Sequence, residues 1–251
     1  MFRVVIPARY ASARLPGKAL LSIGGKPMIQ WVYERAQASR ASEVLIATDD
    51  LLIVSAAHSF GAETVMTAAT HKSGTDRIAE VARVRGWPES DIVVNVQGDE
   101  PLIPPALIDQ VGALLETNPA AQIATLATRL ASLAEFMDPN AVKVVTDATG
   151  RALYFSRAPI PWDRDSANSG LVSQKSFAGA RRHVGIYGYR VGGLLRLATL
   201  APSSLEQREK LEQLRALENG IEIRVADCAE PPGPDVNTAA DLERVTALLQ
   251  G

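Results

Sequence analysis

Two stretches near the amino terminus decide the fold: Val4-Val5-Ile6-Pro7-Ala8-Arg9 and, shortly after it, Leu15-Pro16-Gly17-Lys18. An uninterrupted apolar run such as the first is typical of a buried strand in a parallel sheet. The loop that leaves the carboxyl end of such a strand is where open α/β sheets bind their ligands. The cations of this loop therefore predict a site for a polyanion at the edge of a parallel sheet.

Strand and helix signals alternate through the first half of the chain. Strand-like runs lie at 2–7, 43–48, 63–66 and 91–96, and helix signals lie at 27–39, from about 50 to 60, at 74–85 and at 104–116. This alternation predicts βαβ units and a doubly wound, mostly parallel α/β sheet of the Rossmann-like type.

The second half changes character. Strand signals lie at 142–146, 152–155, 185–189 and 221–226, a polar loop is expected at 163–175, and helices are expected at 204–217 and 239–249. We expect Ser204, three residues before Gln207, to cap the first of these helices. The chain is thus predicted to be one domain, 1–251, with a smaller β-containing subregion at about 130–195.

The bulk composition excludes several classes of protein. The chain has 251 residues, 47% of them hydrophobic, and a formal net charge of −2, which gives no indication of nucleic-acid binding. Its single cysteine, Cys228, permits no intrachain disulfide. We find no signal peptide and no apolar run long enough to span a bilayer, and we expect a cytoplasmic protein without membrane insertion.

The first loop predicts a grip for a triphosphate. Arg9, Arg14 and Lys18 can face one polyanion, and Gly17 allows the backbone to approach it. The loop is not a Walker A motif, because Ala19 follows the lysine where serine or threonine is required, and no dinucleotide fingerprint follows the strand. The alternative interpretation is a basic surface loop that contacts only solvent.

A second site is predicted where the strand ending in Asn95 gives way to Gln97-Gly98-Asp99-Glu100. Carboxylates beside a polyphosphate suit Mg²⁺, which takes one or two oxygen ligands from protein, and we assign Asp99 to it. The amide of Gln97 can bind a base edge or a sugar hydroxyl. Asp235 or Asn237, before the last helix, could complete the metal site. The alternatives are an acidic surface turn at Asp99 and a helix cap at 237–238.

Two further groups of side chains suit the substrates. The helix that starts near Ser73 and Thr75 can bind a base edge or an anion, although a plain cap explains it equally well. Polar residues of the second half suit an acidic, hydroxylated acceptor: Arg157, His183, Tyr187, Glu212 and Gln213. The alternative for Arg157 is a structural ion pair, and for the last two it is an ordinary amphipathic helix.

These motifs and several others resemble those of the 3-deoxy-manno-octulosonate (Kdo) cytidylyltransferases of Gram-negative bacteria. The resemblance covers about residues 3 to 245. It is carried by the segments 6–18, 71–77, 95–101, 140–145, 154–162 and 182–187. The first loop and the Gln97–Pro101 segment recur among other sugar-activating cytidylyltransferases, whereas the later segments are more specific.

The resemblance implies a nucleotide-diphospho-sugar transferase-like fold and an enzyme that joins CTP to Kdo, giving CMP-Kdo and pyrophosphate for lipopolysaccharide synthesis. It implies catalytic roles for Arg9, Lys18 and Asp99, and a homodimer formed through the 130–195 subregion. It places the nucleotide at Ala8, Arg9, Arg14, Lys18, Ser73, Gly74, Arg77 and Gln97. It places Kdo at Arg157, His183, Tyr187, Glu212 and Gln213.

One position departs from the family pattern. The family has aspartate as its second metal ligand where this chain has Asn237, so either Asn237 or Asp235 completes the Mg²⁺ site. Two alternative functions stay open. One is a cytidylyltransferase for another acidic sugar, sialic acid or 8-amino-Kdo. The other is a nucleotide-binding module without turnover.

Overall fold

The fold was analysed in a computed structural model that describes residues 1–11, 15–165 and 176–250. The strands are β1 (Phe2–Ala8), β2 (Ser22–Ile23), β3 (Lys26–Pro27), β4 (Val44–Thr48), β5 (Glu63–Met66), β6 (Ile92–Asn95), β7 (Ile123–Arg129), β8 (Lys143–Thr146), β9 (Ala152–Ser156), β10 (Arg181–Arg190) and β11 (Ile223–Asp227). The helices are α1 (Met28–Gln37), α2 (Leu51–Ser59), α3 (Gly74–Arg85), α4 (Pro105–Thr117), α5 (Leu133–Met137), α6 (Val191–Thr199), α7 (Ser204–Glu209), α8 (Gln213–Glu218) and α9 (Ala239–Gln250). A 3₁₀ turn spans Lys18–Leu20.

The main sheet has the strand order β11-β7-β10-β6-β1-β4-β5, with β8 and β9 attached to the free end of β10. Along this path every strand is parallel to the others except β10, which is antiparallel to both of its neighbours. The predicted mostly parallel α/β sheet is confirmed. The strand expected at 185–189 is longer than predicted and lies inside the main sheet.

Side chains of β1 alternate between two cores, one on each face of the sheet. Val4 and Ile6 pack with α1, α2 and α4 on one face, whereas Val5 packs with α3, α6 and α8 on the other. This alternation follows from the period of two in a strand, which sends successive side chains to opposite faces. Helices on both faces make the sheet doubly wound, as the sequence predicts.

The helix expected at 204–217 is two helices, α7 and α8. The chain breaks at Lys210, whose φ of 54° lies in the left-handed region. The expected cap is also displaced by one residue, because Ser203 and Glu206 form the capping box. The break turns Glu212 and Gln213 toward the sheet edge. Most of the loop expected at 163–175, from 166 onward, lies outside the described residues.

Candidate active site

Topology brings the predicted site to one edge of the sheet. The parallel strands β1 and β6 end there at Ala8 and Asn95. Strand β10 runs the opposite way, and its Tyr187 pairs with Asn95, so residues 181–186 extend past the end of β6. Residues from both halves of the sequence therefore meet at the edge where an open α/β sheet binds ligands.

Predicted nucleotide residues line one cavity of about 80 Å³ at this edge. They are Ala8, Arg9, Ser73, Gly74, Arg77 and Gln97. Arg9 is exposed and has no hydrogen bond or ion pair within the described part of the chain, so its guanidinium is free to meet an anion. Arg14 lies outside the described residues. The nucleotide roles of these residues stay predictions.

Arg77 lines this cavity, and two of its donors already bind other side chains. The side chain is buried, Nη2 donates to Asp49 Oδ2 at 2.9 Å, and Nη1 donates to Thr67 Oγ1. These contacts tie α3 to the ends of β4 and β5. A role in shaping the cavity therefore fits the geometry of Arg77 better than a direct grip on phosphate.

A lysine joins the two loops that carry the predicted metal ligands. Lys18 Nζ lies 2.6 Å from Asp99 Oδ2 and 3.3 Å from Asn237 Oδ1, and its side chain is only 13% exposed. The alternative interpretation, a basic loop that contacts only solvent, is wrong for Lys18. Asp235 is joined to this group through Asn237, whose Nδ2 donates a hydrogen bond to Asp235 Oδ2.

Thr238 allows Asn237 to face this site. The Thr238 hydroxyl accepts a hydrogen bond from Asp241 N at 3.2 Å, and Asp241 Oδ2 accepts from the backbone N–H of Thr238 at 2.9 Å. Thr238 thus caps helix α9, and the side chain of Asn237 contacts Lys18 and Asp235 instead. The backbone of Asp99 is held to the same segment, because Val236 N donates to Asp99 O at 2.9 Å.

Gly98 is required by close packing. A Cβ at this position would lie 3.0 Å from the carbonyl oxygen of Pro7. The loop after β6 can therefore lie directly against the end of β1, which brings Asp99 to Lys18.

Glu100 is a buried carboxyl with one unsatisfied atom. Its Oε2 is buried without a hydrogen-bond partner in the described part of the chain. Burial, with Asp99 and Asp235 nearby, raises the pKa of Glu100 to about 8. The carboxyl oxygens of Glu100, Asp99 and Asp235 lie near one another, and a divalent cation prefers such oxygen ligands. In the described residues no three His, Cys, Asp or Glu side chains form a metal site by themselves, so the cation would need ligands from substrate or water.

Predicted acceptor residues line a second cavity, of about 160 Å³. Tyr187, Glu212 and Gln213 lie in its wall. Gln97 lines both cavities and so separates the nucleotide side from the acceptor side. Burial raises the pKa of Glu212, against hydrogen bonds from Thr75 and Ser73 that lower it. Thr75 lines this cavity and Ser73 lines the nucleotide cavity, so the start of α3 borders both.

His183 packs beside Tyr187. The two ring centroids are 5.2 Å apart, and the His183 Nε2 lies 3.0 Å from Thr125 Oγ1. Burial and the neighbouring charge of Arg182 lower the pKa of His183 to about 3. The imidazole is therefore neutral near pH 7. It lines a third cavity, of about 220 Å³, together with Glu100 and Asp235.

Arg157 is more strongly engaged in the fold than the sequence suggested. Its Nε donates to the carbonyl of Glu209 at 2.6 Å, and its Nη1 donates to the carbonyl of Pro139 at 2.9 Å. The Glu209 carboxylate also accepts from the Arg157 backbone N–H at 2.9 Å. Its assignment to the acceptor stays a prediction, and these contacts favour the structural alternative.

The sequence assigned no individual binding role to several residues at this edge. Asn95, Thr75 and Tyr189 line the acceptor cavity, and His71 lines the nucleotide cavity. Asn95 could have been identified as a candidate binding residue, because it is an amide at the end of an apolar strand. Thr75 carried only a helix-start signal, and Tyr189 looked like an ordinary core residue of β10.

The comparisons with known proteins agree with this geometry. The family model described as Cytidylyltransferase matches residues 3–223, so the chain belongs to the cytidylyltransferases. A 3-deoxy-manno-octulosonate cytidylyltransferase of Thioalkalivibrio sulfidiphilus is 54% identical over 249 residues, covering 99% of both chains. One of Cellvibrio japonicus is 57% identical over 251 residues, covering 99% of this chain and 98% of the relative. Within its class, the chain belongs to the 3-deoxy-manno-octulosonate cytidylyltransferase family.

Solved structures give the same result. A CMP:2-keto-3-deoxy-manno-octonic acid synthetase complexed with CTP is 45% identical, with a TM-score of 0.89 and coverage of 99% of this chain and 98% of the other. A cytidylyltransferase from Leptospira borgpetersenii, at 17% identity and a TM-score of 0.65, shares the fold alone.

Proposed function

We propose that the chain transfers the cytidylyl group of CTP to Kdo, giving CMP-Kdo and pyrophosphate, and so activates Kdo for lipopolysaccharide synthesis. The anomeric hydroxyl of Kdo attacks the α-phosphorus of CTP. A carbon–oxygen–phosphorus link forms, the bond between the α- and β-phosphates breaks, and the hydroxyl proton is released. The observation that carries the proposal is the pair of cavities separated by Gln97, one beside Arg9 and the other beside Tyr187.

The chain contributes positioning and charge. Arg9 and Lys18 would hold the phosphates, and the small cavity at Ser73 and Gly74 would take the cytidine. Holding two reactants in line converts a bimolecular step into an effectively unimolecular one. Cations aimed at the phosphates stabilise the charge that develops as pyrophosphate leaves. No covalent intermediate is required.

Mg²⁺ is the cofactor we propose. Asp99 and Asn237 would hold it, with Asp235 beside them, and the unsatisfied oxygen of Glu100 supports the fit. When bound, the ion neutralises phosphate charge. Lys18 contacts Asp99 Oδ2 and Asn237 Oδ1, the two oxygens that would hold the ion, so its ammonium group lies beside the proposed Mg²⁺ site.

We propose a homodimer formed through the 130–195 subregion. Among the residues that the structure describes, β9 forms a strand ladder with β8 alone, and no described strand pairs with its other edge. Leu153 on β9 is 53% exposed, and Trp162 beyond it is also exposed. An open edge with apolar side chains is a common place for a second chain to bind.

A cytoplasmic location is proposed because CTP is a cytoplasmic nucleotide. In the described part of the chain, no helix combines the length and apolar character needed to cross a membrane.

The test is pyrophosphate release from CTP with a panel of acidic sugars. We expect turnover with Kdo and weaker turnover with sialic acid and 8-amino-Kdo. We also expect ATP and GTP to be rejected and UTP to be a poor substitute, because a buried site leaves unpaired groups when the base is wrong. Equal turnover with ATP, or better turnover with another sugar, would overturn the assignment.

A further inference from the structure

The floor of the acceptor cavity contains two buried polar atoms without partners. Asn95 Oδ1 and the hydroxyl of Tyr187 are both buried and form no hydrogen bond in the described part of the chain. The two residues are neighbours across β6 and β10, and both line the same cavity of about 160 Å³. Folded proteins rarely leave such atoms unpaired, and a recurring reason is that a ligand supplies the partner.

The two unpartnered atoms have complementary chemistry. An asparagine amide oxygen only accepts hydrogen bonds, whereas a phenol hydroxyl can donate or accept. The cavity therefore presents one pure acceptor, Asn95 Oδ1, beside a phenol that can donate or accept.

We propose that Asn95 is a specificity-determining residue that, with Tyr187, binds a hydroxyl group of the acceptor sugar. One sugar hydroxyl satisfies both atoms, because it donates to Asn95 Oδ1 and accepts from the Tyr187 hydroxyl. A carboxylate or phosphate has no proton to donate, and Glu212 in the same wall would repel it. The inference rests on the proposed function and assigns a part of the acceptor to this cavity.

The size of the cavity indicates which part of the sugar enters. A space of about 160 Å³ is similar to an engineered cavity that holds benzene, so it admits about six non-hydrogen atoms. An eight-carbon sugar acid is too large to enter whole. The carboxylate of Kdo lies beside the reacting anomeric carbon, which must face the α-phosphate. The hydroxylated end remote from the carboxylate therefore enters the cavity.

The test couples protein variants to acceptor analogues. Kdo and analogues that each lack one hydroxyl of the remote end are compared on the parent, on Tyr187→Phe and on Asn95→Ala. Each variant should raise the KM for Kdo about tenfold, the factor of one lost hydrogen bond, with the KM for CTP within about twofold of the parent. On the parent, one of the deoxy analogues should have a KM about tenfold higher than that of Kdo. On either variant, the KM of that analogue should equal the KM of Kdo.

Thermal melting separates binding from structure. Tyr187→Phe removes a hydroxyl that has no partner, so the free protein should melt at or above the temperature of the parent. Tyr154→Phe is the matched control, since it removes a hydroxyl that donates to Glu209 Oε1 at 3.4 Å, and it should lower the melting temperature. Tyr187→Phe also keeps the test decisive if Asn95→Ala fails to fold.

Two outcomes would overturn the inference. If the KM of every deoxy analogue, relative to that of Kdo, rises by the same factor on the parent and on both variants, no sugar hydroxyl binds Asn95. If 8-amino-Kdo binds the parent better than Kdo and loses that advantage in Asn95→Ala, the cavity binds an amine. A parent that turns over Kdo normally, and no other acidic sugar better, leaves the proposed function standing, whereas no turnover with Kdo overturns both.

Discussion

At the scale of single residues, the site depends on contacts between distant parts of the chain. Lys18 of the first loop, Asp99 after β6 and Asn237 before α9 meet through one ammonium group. The residue types could be predicted from the sequence, because a cationic loop and an acidic strand end each carry their own pattern. That Lys18 is largely buried could not, since its partners lie 81 and 219 residues away. The contacts of Arg157 with the carbonyls of Glu209 and Pro139 could not be predicted for the same reason.

Asp99→Asn should reduce kcat by about 10² to 10³ while leaving the fold intact, because it removes charge that would hold Mg²⁺ beside the phosphates. The measurement is steady-state pyrophosphate release across a magnesium titration. Asp109→Asn is the control, since Asp109 pairs with the exposed Arg40 at the surface, and it should keep the parent rate. Parent-like activity of Asp99→Asn in ordinary magnesium would remove Asp99 from the metal site.

His183 should make stability depend on pH. Its pKa falls from the usual 6.5 to about 3 on folding, so between these values the unfolded chain binds a proton that the folded chain does not. Stability from this group is complete above pH 6.5 and is lost as pH falls, by at most about 1.4 kcal/mol per pH unit. Substituting His183→Gln removes this contribution.

Urea unfolding of parent and His183→Gln from pH 7.5 to 5 gives the comparison. The parent should lose stability relative to the variant as the pH falls below 6.5, and the difference should be constant above that pH. A difference that does not change over the whole range would mean that the imidazole is not buried in its neutral form.

At the scale of elements, the sequence predicts what depends on periodicity and misses what depends on packing. The first four strands of the parallel sheet and the helices between them were predicted within a few residues, because apolar runs alternate there with amphipathic ones. Helix α6 was missed because Gly192 and Gly193 argue against a helix. A Cβ at Gly193 would lie 2.7 Å from Gln122 Cβ, so close packing, which no local pattern reveals, selects glycine there.

The break between α7 and α8 gives a test at this scale. Lys210 adopts a left-handed conformation that costs a non-glycine residue about 1 kcal/mol, so Lys210→Gly should raise the stability slightly, by up to about 1 kcal/mol after the entropy of glycine is counted. The same change at exposed Arg208, inside α7, should lower stability by about 1 kcal/mol. Chemical denaturation measures both, and a loss at both positions would contradict the conformation of Lys210.

At the scale of the whole molecule, topology makes one site from residues that are far apart in sequence. The antiparallel strand β10 carries Tyr187 and His183 past the end of β6, so the acceptor side faces the nucleotide side across Gln97. The general fold follows from the order of strand and helix signals. The insertion of β10 between β6 and β7 does not, because it is set by long-range pairing.

The open edge of β9 predicts a dimer. Light scattering should give about twice the chain mass of 26.8 kDa for the parent. Leu153→Glu should shift the protein toward the monomer, because a charge replaces an exposed apolar side chain at that edge. A monomeric parent at micromolar concentration would contradict the proposed assembly.

The central claim is that the two cavities join CTP to Kdo by direct attack on the α-phosphorus. Phosphorus NMR of the parent with CTP, Kdo and Mg²⁺ tests this most directly, because it follows each phosphate separately. We expect the triphosphate signals to disappear while pyrophosphate and one sugar phosphodiester appear in equal amounts, and only when both substrates are present. Release of CDP and orthophosphate, or of pyrophosphate without a phosphodiester, would contradict the claim.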